Sequence, residues 1–262
     1  MMFNFKTALV GKISEEFTFA KVKEIAWEII SPLEIGKILI IGYDSRFLAD
    51  KFAEEIVKVA ETKRIFCYLL EPDVPISTLA WEVEEKKAVG GIMISGGSLP
   101  YDFCGIKFIA GKSPAPSVSK SEKVERFNPS ERYLKYLEGT IDSSFLKQTK
   151  PKIIVDPMYG SARGYMDKIL TRLGCKVKEI HDYRDVLFGG KEPNPVEENL
   201  GELKELVAQF DLGLAFNSDA SEFTVVDSLR RFYPKPVKQD AILESLLVVE
   251  RFARTGKVVE RG

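Results

Sequence analysis

The chain has 262 residues, which is enough for two domains of ordinary size. Its 38 basic and 39 acidic residues nearly cancel, so the chain lacks the one-signed field that attracts nucleic acid or an anionic membrane, and neither partner is expected. Hydrophobic residues make up 45% of the sequence, which excludes a largely disordered chain and predicts folded cores.

The first half of the sequence alternates buried strands with helices. Apolar residues at helical spacing predict a helix over 18–30, with Thr18 as its N-cap. Strand, helix, strand, helix, strand is then the order of a parallel sheet with crossover helices. The Ser-, Pro- and Lys-rich segment 111–123 is predicted to be an exposed linker. The remaining elements are predicted as strands at 37–41, 65–69, 91–94 and 105–110, and helices at 47–60 and 76–86.

The second half of the sequence repeats this alternation. Helical structure is predicted over 129–147, and a further strand is predicted to begin at Lys257. The expected architecture is therefore α/β, with two consecutive αβα domains, 1–127 and 128–262, whose sheets are mixed and mostly parallel. Between those limits, strands are predicted at 152–156, 177–180, 212–216 and 223–227, and helices at 165–173, 200–210 and 241–253.

The few cysteines and the single histidine argue against a zinc centre. Cys67, Cys104 and Cys175 are far apart and form no Cys-x-x-Cys pair, and His181 is the only histidine. Reduced thiols are the expected state of all three cysteines. The sequence starts without the apolar region of a signal peptide, and its longest apolar runs are far shorter than a membrane span. These features predict a soluble, cytoplasmic protein.

A glycine-rich loop lies between the strands predicted at 91–94 and 105–110. Small residues there allow the backbone to approach a ligand closely, although an ordinary turn has the same composition. Its frame, Gly90-Gly-Ile-Met-Ile94, Pro100 and Gly105-Ile-Lys-Phe108, resembles the phosphoserine loop of the α-D-phosphohexomutases, the phosphoglucomutase/phosphomannomutase family. The resemblance places the family's Thr-Ala-Ser-His-Asn-Pro, whose Ser carries the transferable phosphate, on Ser95, Gly96, Gly97, Ser98, Leu99 and Pro100.

The resemblance extends from about Phe17 to the end of the sequence. It includes Gly42-Tyr-Asp-Ser-Arg46, Val155-Asp-Pro-Met-Tyr-Gly160, Leu187-Phe-Gly-Gly-Lys-Glu-Pro-Asn-Pro195 and Glu198-Asn-Leu200. The family has four domains, so the resemblance implies that this chain covers the first two and stops at the start of the third. We therefore expect a truncated family member.

The residues that the resemblance assigns to chemistry are altered. The nucleophile position is Gly97, and Ser98, one residue later, is a weak candidate in its place. Asn217, Asp219 and Ser221 stand at the ligand positions of the family's Mg²⁺ loop, which leaves Asp219 as a weak metal candidate and Mg²⁺ as a cofactor only if activity remains. Glu222 replaces an Arg of that loop.

Phosphate binding is also weakened, because Val10 stands where the family has a phosphate-contacting Arg. The candidates that remain are Arg46, Ser95, Ser98 and Lys107. Arg46 has a second interpretation, since an Asp-x-Arg pair with Asp44 at a strand-to-helix turn is often a structural cap.

Two functions are compatible with these substitutions. The first is a non-catalytic family member, a binding or interaction module linked to carbohydrate metabolism, which forms a homo-oligomer or binds a protein partner and has a sugar phosphate or phosphate as candidate ligand. The alternative is an active phosphohexomutase or phosphotransferase that uses Ser98, or that another chain completes. A fragment of a longer protein is a third interpretation.

Overall fold

The computed structural model describes residues 6–112, 124–235 and 240–258, and the first domain is built on a six-stranded sheet. The sheet order is β1-β5-β4-β2-β3-β6, in which β2, β3, β4 and β6 run parallel while β5 and β1 are antiparallel to their neighbours. Its strands are β1 (Lys6–Lys12), β2 (Ile38–Tyr43), β3 (Phe66–Leu70), β4 (Gly90–Ile94), β5 (Phe103–Ala110) and β6 (Val124–Phe127). Its helices are α1 (Phe19–Ile30), α2 (Ala49–Thr62) and α3 (Ile76–Glu85).

Strand β2 shows why this sheet lies between two helical layers. All six of its residues are buried. Leu39 and Ile41 pack into the cluster that contains residues of α1 and α2, whereas Ile38 and Ile40 pack into the cluster that contains residues of α3. Because side chains alternate across a strand, an unbroken apolar run requires cover on both faces.

The second domain has a five-stranded sheet of order β11-β10-β9-β7-β8. Strands β7, β8 and β9 are parallel, and β10 and β11 are antiparallel. The strands are β7 (Lys152–Asp156), β8 (Lys176–Glu179), β9 (Leu212–Phe216), β10 (Phe223–Asp227) and β11 (Phe232–Lys235). The helices are α4 (Ser130–Thr140), α5 (Ser144–Thr149), α6 (Met166–Arg172), α7 (Gly201–Leu206) and α8 (Ala241–Thr255), with 3₁₀ turns at Phe188–Gly190, Glu197–Asn199 and Val207–Gln209.

The predicted α/β class and the mixed sheets are confirmed, but three strands were not predicted. β1, β6 and β11 each lie at a sheet edge and carry polar or exposed residues. An edge strand has little apolar pattern, because only part of it is covered. The predicted linker over 111–123 and the strand from Lys257 lie mostly outside the described residues, and the domain boundary near 127 stays a prediction.

The two domains pack against each other through aromatic and polar side chains. The ring of Trp81 on α3 lies 5.7 Å from that of Tyr133 on α4. The fully buried hydroxyl of Tyr133 donates to Asp240 Oδ2 at 2.5 Å and lies 3.2 Å from Ser77 Oγ. A further ion pair joins Arg163 to Asp73 at 3.0 Å. Helices α3 and α4 and the segments that carry Asp73 and Arg163 therefore fix one domain against the other.

No helix in the parts of the chain that the structure describes has the length and apolar character needed to cross a membrane. The three cysteines are buried and unpaired, as the reduced state predicted for them requires.

The hydroxyl of Tyr133 gives a test of this packing. Tyr133→Phe removes a donor from the buried Asp240 carboxylate, so we expect it to lower the free energy of unfolding by about 1–3 kcal/mol. The matched control is Tyr136→Phe, because that ring stacks on Trp81 but is partly exposed, and we expect a change within about 0.5 kcal/mol. Urea unfolding measures both, and equal values for the two variants would contradict the prediction.

Candidate functional site

Three loops meet where strands of the two sheets end. The segment 44–46 follows β2, the segment 95–102 follows β4, and the segment 217–222 follows β9. β2 and β4 are neighbouring parallel strands, so their carboxyl ends lie at the same edge of the first sheet. The third loop comes from the second domain and packs onto the other two. Loops at this edge of an α/β sheet are the usual place for a ligand.

Arg46 fixes the shape of the loop after β4. Its fully buried guanidinium lies 3.1 Å from Asp44 Oδ2, and the Phe188 ring centroid lies 5.1 Å from its Cζ. It donates to four carbonyl oxygens of one loop, those of Gly97, Leu99, Pro100 and Phe103, at 2.6–3.0 Å. A guanidinium has five N–H groups, and these contacts use all of them.

Arg46 is therefore a structural residue in this arrangement, as the capping interpretation predicts. As a phosphate ligand, Arg46 would need an accessible N–H, and the structure leaves it none. Its place in the sequence is explained by the loop that it holds, because its guanidinium is a common donor to all four of these carbonyls. The Gly97 and Pro100 carbonyls each have a second donor, the Ser218 hydroxyl and the Phe103 N–H respectively.

Ser218, which the sequence did not single out, ties the two domains together. Its fully buried Oγ lies 2.8 Å from Asp44 Oδ2 and 2.7 Å from the Gly97 carbonyl oxygen. The backbone oxygen of Ser218 also accepts hydrogen bonds from the N–H and the hydroxyl of Ser161. A serine in a polar loop gives no signal of such contacts, because its partners lie far away in the sequence.

Asp219 is the centre of the charged part of the site. Its fully buried carboxylate contacts Lys107 Nζ at 2.5 Å and accepts from Ser95 Oγ at 2.7 Å and from the Ser221 N–H at 3.1 Å. Burial alone would raise the pKa of Asp219, but the Lys107 ammonium and the hydrogen bonds outweigh it and lower the pKa to about 2. Asp219 is thus ionised at neutral pH, and two of the predicted phosphate candidates, Lys107 and Ser95, bind it.

The residues at the predicted metal positions do not fit Mg²⁺. Asn217 Oδ1 accepts from the N–H groups of Ser221 and Glu222, and its Nδ2 donates to Ser98 and Ser221, so this side chain serves the loop itself. Mg²⁺ sheds water reluctantly and favours anionic oxygens, yet the one carboxylate among the three positions is paired with Lys107. Within 6–112, 124–235 and 240–258 no cluster of three or more acidic, His or Cys side chains could hold a metal ion.

The nucleophile position and its neighbour differ in what they offer. Gly97 has no side chain, and its φ of +57° is a conformation that L-residues rarely adopt. Ser98 is half-buried, and its hydroxyl donates to Glu222 Oε2 at 2.5 Å and accepts from Asn217 Nδ2 at 3.1 Å. Ser98 thus has a carboxylate partner from the other domain, which the sequence did not predict.

A second polar cluster lies in the second domain. His181 Nδ1 is 2.9 Å from Asp156 Oδ1, and its Nε2 is 3.2 Å from Glu202 Oε2. The hydrogen bond with Asp156 is the main reason that the pKa of His181 is raised. Met158 and Tyr159, which follow Asp156 closely, both have positive φ values, and a small cavity of about 40 Å³ lies beside them.

A larger cleft borders the loop that carries Glu222. Its volume is about 750 Å³, within the usual range for small-molecule sites. It lies between β10, β11 and the segment 194–197, and its lining residues include Asn194, Glu197, Glu222, Thr224 and Phe232. Glu197 and Glu222 supply the carboxylates of this cleft, and the sequence predicted neither of them as a ligand for a small molecule.

Two family models match the chain, and together they account for both domains. The phosphoglucomutase/phosphomannomutase alpha/beta/alpha domain I matches residues 4–133, and domain II of the same family matches residues 131–229. The chain belongs to the phosphoglucomutase/phosphomannomutase family. The resemblance that the loop frame indicated is thereby confirmed.

Curated relatives of this family are similar over most of the chain. A protein of Methanocella arvoryzae named "Probable phosphoglucosamine mutase" is 29% identical over 218 residues, which is 75% of this chain and 48% of that protein. A Thermococcus kodakarensis protein named "Phosphoglucomutase/phosphomannomutase" is 22% identical over 74% of this chain and 47% of its own length. The chain thus spans about half the length of the curated relatives it matches.

Solved structures show the same fold. A protein of Thermus thermophilus, described as a candidate phosphomannomutase, superposes with a TM-score of 0.83 at 22% identity, over 98% of this chain and 82% of that one. A phosphoglucomutase/phosphomannomutase family protein of Burkholderia thailandensis superposes with a TM-score of 0.73 at 17% identity, over 87% and 55% of the two chains.

The structural role of Arg46 can be tested by removing its charge. Arg46→Met leaves the buried Asp44 carboxylate and the loop carbonyls without their donor, so we expect a loss of about 3–5 kcal/mol in the free energy of unfolding. Arg126→Met is the control, because Arg126 makes an exposed ion pair with Glu71 that contributes at most about 1 kcal/mol. Chemical denaturation distinguishes the two, and a loss below about 1 kcal/mol for Arg46→Met would disprove the role.

Proposed function

We propose that the two domains of this chain form a non-catalytic member of the family, a binding or interaction module linked to carbohydrate metabolism. The observation that carries the proposal is the ion pair between Lys107 and Asp219, beside a nucleophile position occupied by Gly97. The positions that carry the proposal, Gly97, Asn217 and Ser221, all lie within the two domains of this chain.

Phosphoryl transfer depends on positioning and on neutralising charge, and both are weakened here. Ser98 lies one residue after the nucleophile position, which is about 3.3 Å along an extended chain. A misplacement of about 1 Å already costs about a hundredfold in rate. Glu222 adds a negative charge beside Ser98, and like charges repel an approaching phosphate.

The alternative is a working phosphotransferase, and one observation favours it. The Ser98 hydroxyl donates to the Glu222 carboxylate, which is the arrangement needed for a base that accepts the proton of an attacking hydroxyl. In that case the hydroxyl oxygen forms a bond to phosphorus, its proton passes to Glu222, the bond between phosphorus and the sugar oxygen breaks, and the sugar leaves as an alkoxide. The names of the relatives suggest hexose or hexosamine phosphates as substrates. Completion of the active site by another chain belongs to this alternative.

An activity assay tests whether this chain alone uses Ser98. With glucose 1-phosphate or glucosamine 1-phosphate, Mg²⁺ and a bisphosphate activator, we expect the purified chain to give product no faster than a blank. Intact mass measurement is expected to show no phosphate on Ser98. The non-catalytic proposal fails if turnover is observed and Ser98→Ala abolishes it, with Ser14→Ala as the control serine, which is exposed and lies in another loop.

An interaction role is supported by exposed apolar side chains around the site. Phe47, Leu99, Tyr101 and Leu187 are 38–54% exposed, and we call these four residues the apolar rim. The carbonyl oxygen of Leu99 accepts a hydrogen bond from Arg46. Phe47 follows Arg46 in the sequence, and Tyr101 and Leu187 are the sequence neighbours of Pro100 and Phe188, which both contact Arg46. Contiguous apolar surface on a folded protein usually marks a contact. We propose that the apolar rim binds a second copy of this chain, in the cytoplasm, where the three unpaired cysteines remain reduced.

Light scattering at micromolar concentration tests the oligomer. We expect the wild-type chain to be larger than a monomer and the double variant Leu99→Asp/Tyr101→Asp to be monomeric, because a charge on each side would lie in the interface. Ile35→Asp is a control, since Ile35 is exposed and precedes β2, whereas Phe47 of the apolar rim follows the other end of that strand. A monomeric wild-type chain would rule out self-association through this surface.

A further inference from the structure

We propose that the Lys107 ammonium takes the place of a divalent cation at the domain junction, so that the junction is closed by the chain itself and does not require metal. The ammonium contacts the Asp219 carboxylate directly, at 2.5 Å. This contact holds the two domains together whether or not Ser98 is active.

The net charge at the three predicted metal positions, counted together with Lys107, is zero. Asn217 and Ser221 are neutral, so Asp219 contributes the one negative charge among the three positions, and Lys107 cancels it. The neighbouring buried pair, Asp44 with Arg46, is also neutral. Glu222, a further carboxylate of the same loop, is not at any of the three positions and accepts a hydrogen bond from Ser98 on the exposed side of the loop. At the three positions themselves, a divalent cation would find no net negative charge to compensate for the water it must lose.

The contacts of Asp219 join the two domains without a metal ion. A metal ion would draw loops of the two domains onto a common centre, and here Lys107 and Ser95 from the first domain both bind the Asp219 side chain. The backbone oxygen of Asp219 also accepts from the Ile76 N–H of the first domain at 2.8 Å. Asp219 is fully buried and the Lys107 side chain is 18% exposed, so removing Lys107 leaves a buried unpaired carboxylate, and removing the Asp219 charge leaves a partly buried unpaired ammonium.

The first test uses the wild-type chain with Mg²⁺ as the probe. We expect the same thermal unfolding midpoint in EDTA and in millimolar MgCl₂, and no binding heat in isothermal calorimetry. Binding of one Mg²⁺ with submillimolar affinity, or a midpoint that rises with MgCl₂, overturns the proposal. Turnover does not enter this readout. Mg²⁺ binding without turnover overturns the metal-free junction alone, whereas turnover that Ser98→Ala abolishes overturns the non-catalytic function.

The second test measures the coupling between the two side chains. Lys107→Met and Asp219→Asn each leave one buried partner unmatched, so each is expected to lower the unfolding midpoint, whereas the double variant lowers it by clearly less than the two single losses added together. Lys51→Met is the control, because it removes only two exposed ion pairs on α2, those with Asp50 and Glu54, and its midpoint stays close to that of the wild type. Additive losses in the double variant would contradict the proposal.

The third test rebuilds the cation site. The triple variant Lys107→Met/Asn217→Asp/Ser221→Asp places three carboxylates together without an ammonium, so we expect it to be unstable in EDTA and to gain several degrees in MgCl₂. If the triple variant folds only when it is refolded with MgCl₂, that result also supports the proposal, because the variant then depends on Mg²⁺ for its stability. A triple variant that folds but whose midpoint does not change with MgCl₂ overturns the proposal that the Lys107 charge and the neutral side chains at 217 and 221 are what make metal unnecessary.

Discussion

A guanidinium group is stable inside a protein only when its charge and all its N–H groups are matched, and Arg46 meets that condition at the domain junction. Asp44 neutralises the charge, and carbonyl oxygens from residues 97 to 103 accept the remaining hydrogen bonds. Those carbonyls belong to a loop without regular structure, which has few internal hydrogen bonds to fix it. Arg46 therefore determines the conformation of the loop, and Ser218 extends the same network into the second domain.

The junction combines two neutral ion pairs, one fully buried and one partly buried, with the fold of the family. Arg46 with Asp44 holds the loop after β4, and Lys107 on β5, together with Ser95, binds Asp219 of the second domain. Buried pairs contribute little net stability compared with apolar residues of similar size, yet each is costly to break. The geometry of the junction therefore depends on the four side chains of these pairs and needs no side chain at position 97.

The sequence predicted the buried elements well because their patterns are local. The strands Lys152–Asp156, Leu212–Phe216 and Phe223–Asp227 have the predicted limits, and each is an apolar run covered on both faces. The edge strand β1 was missed because its residues are mostly exposed. The loops of the site were located through the resemblance of the frame around Pro100. The contacts of Ser98 with Glu222, and of Ser218 with Asp44, join residues 124 and 174 positions apart, and no local pattern encodes them.

Gly97 also limits the routes by which this family member could change. With φ at +57°, a serine at this position would carry a strained backbone, and its Cβ would lie 3.3 Å from Lys107 Nζ. Left-handed conformations cost a non-glycine residue roughly 1 kcal/mol or more, and the crowded ammonium would have to move as well. A single codon change back to serine is therefore a poor mutation unless the loop reshapes first. The φ angle of Gly97 therefore constrains the order of mutations in this loop, because the loop backbone has to change before a side chain at position 97 is tolerated without strain.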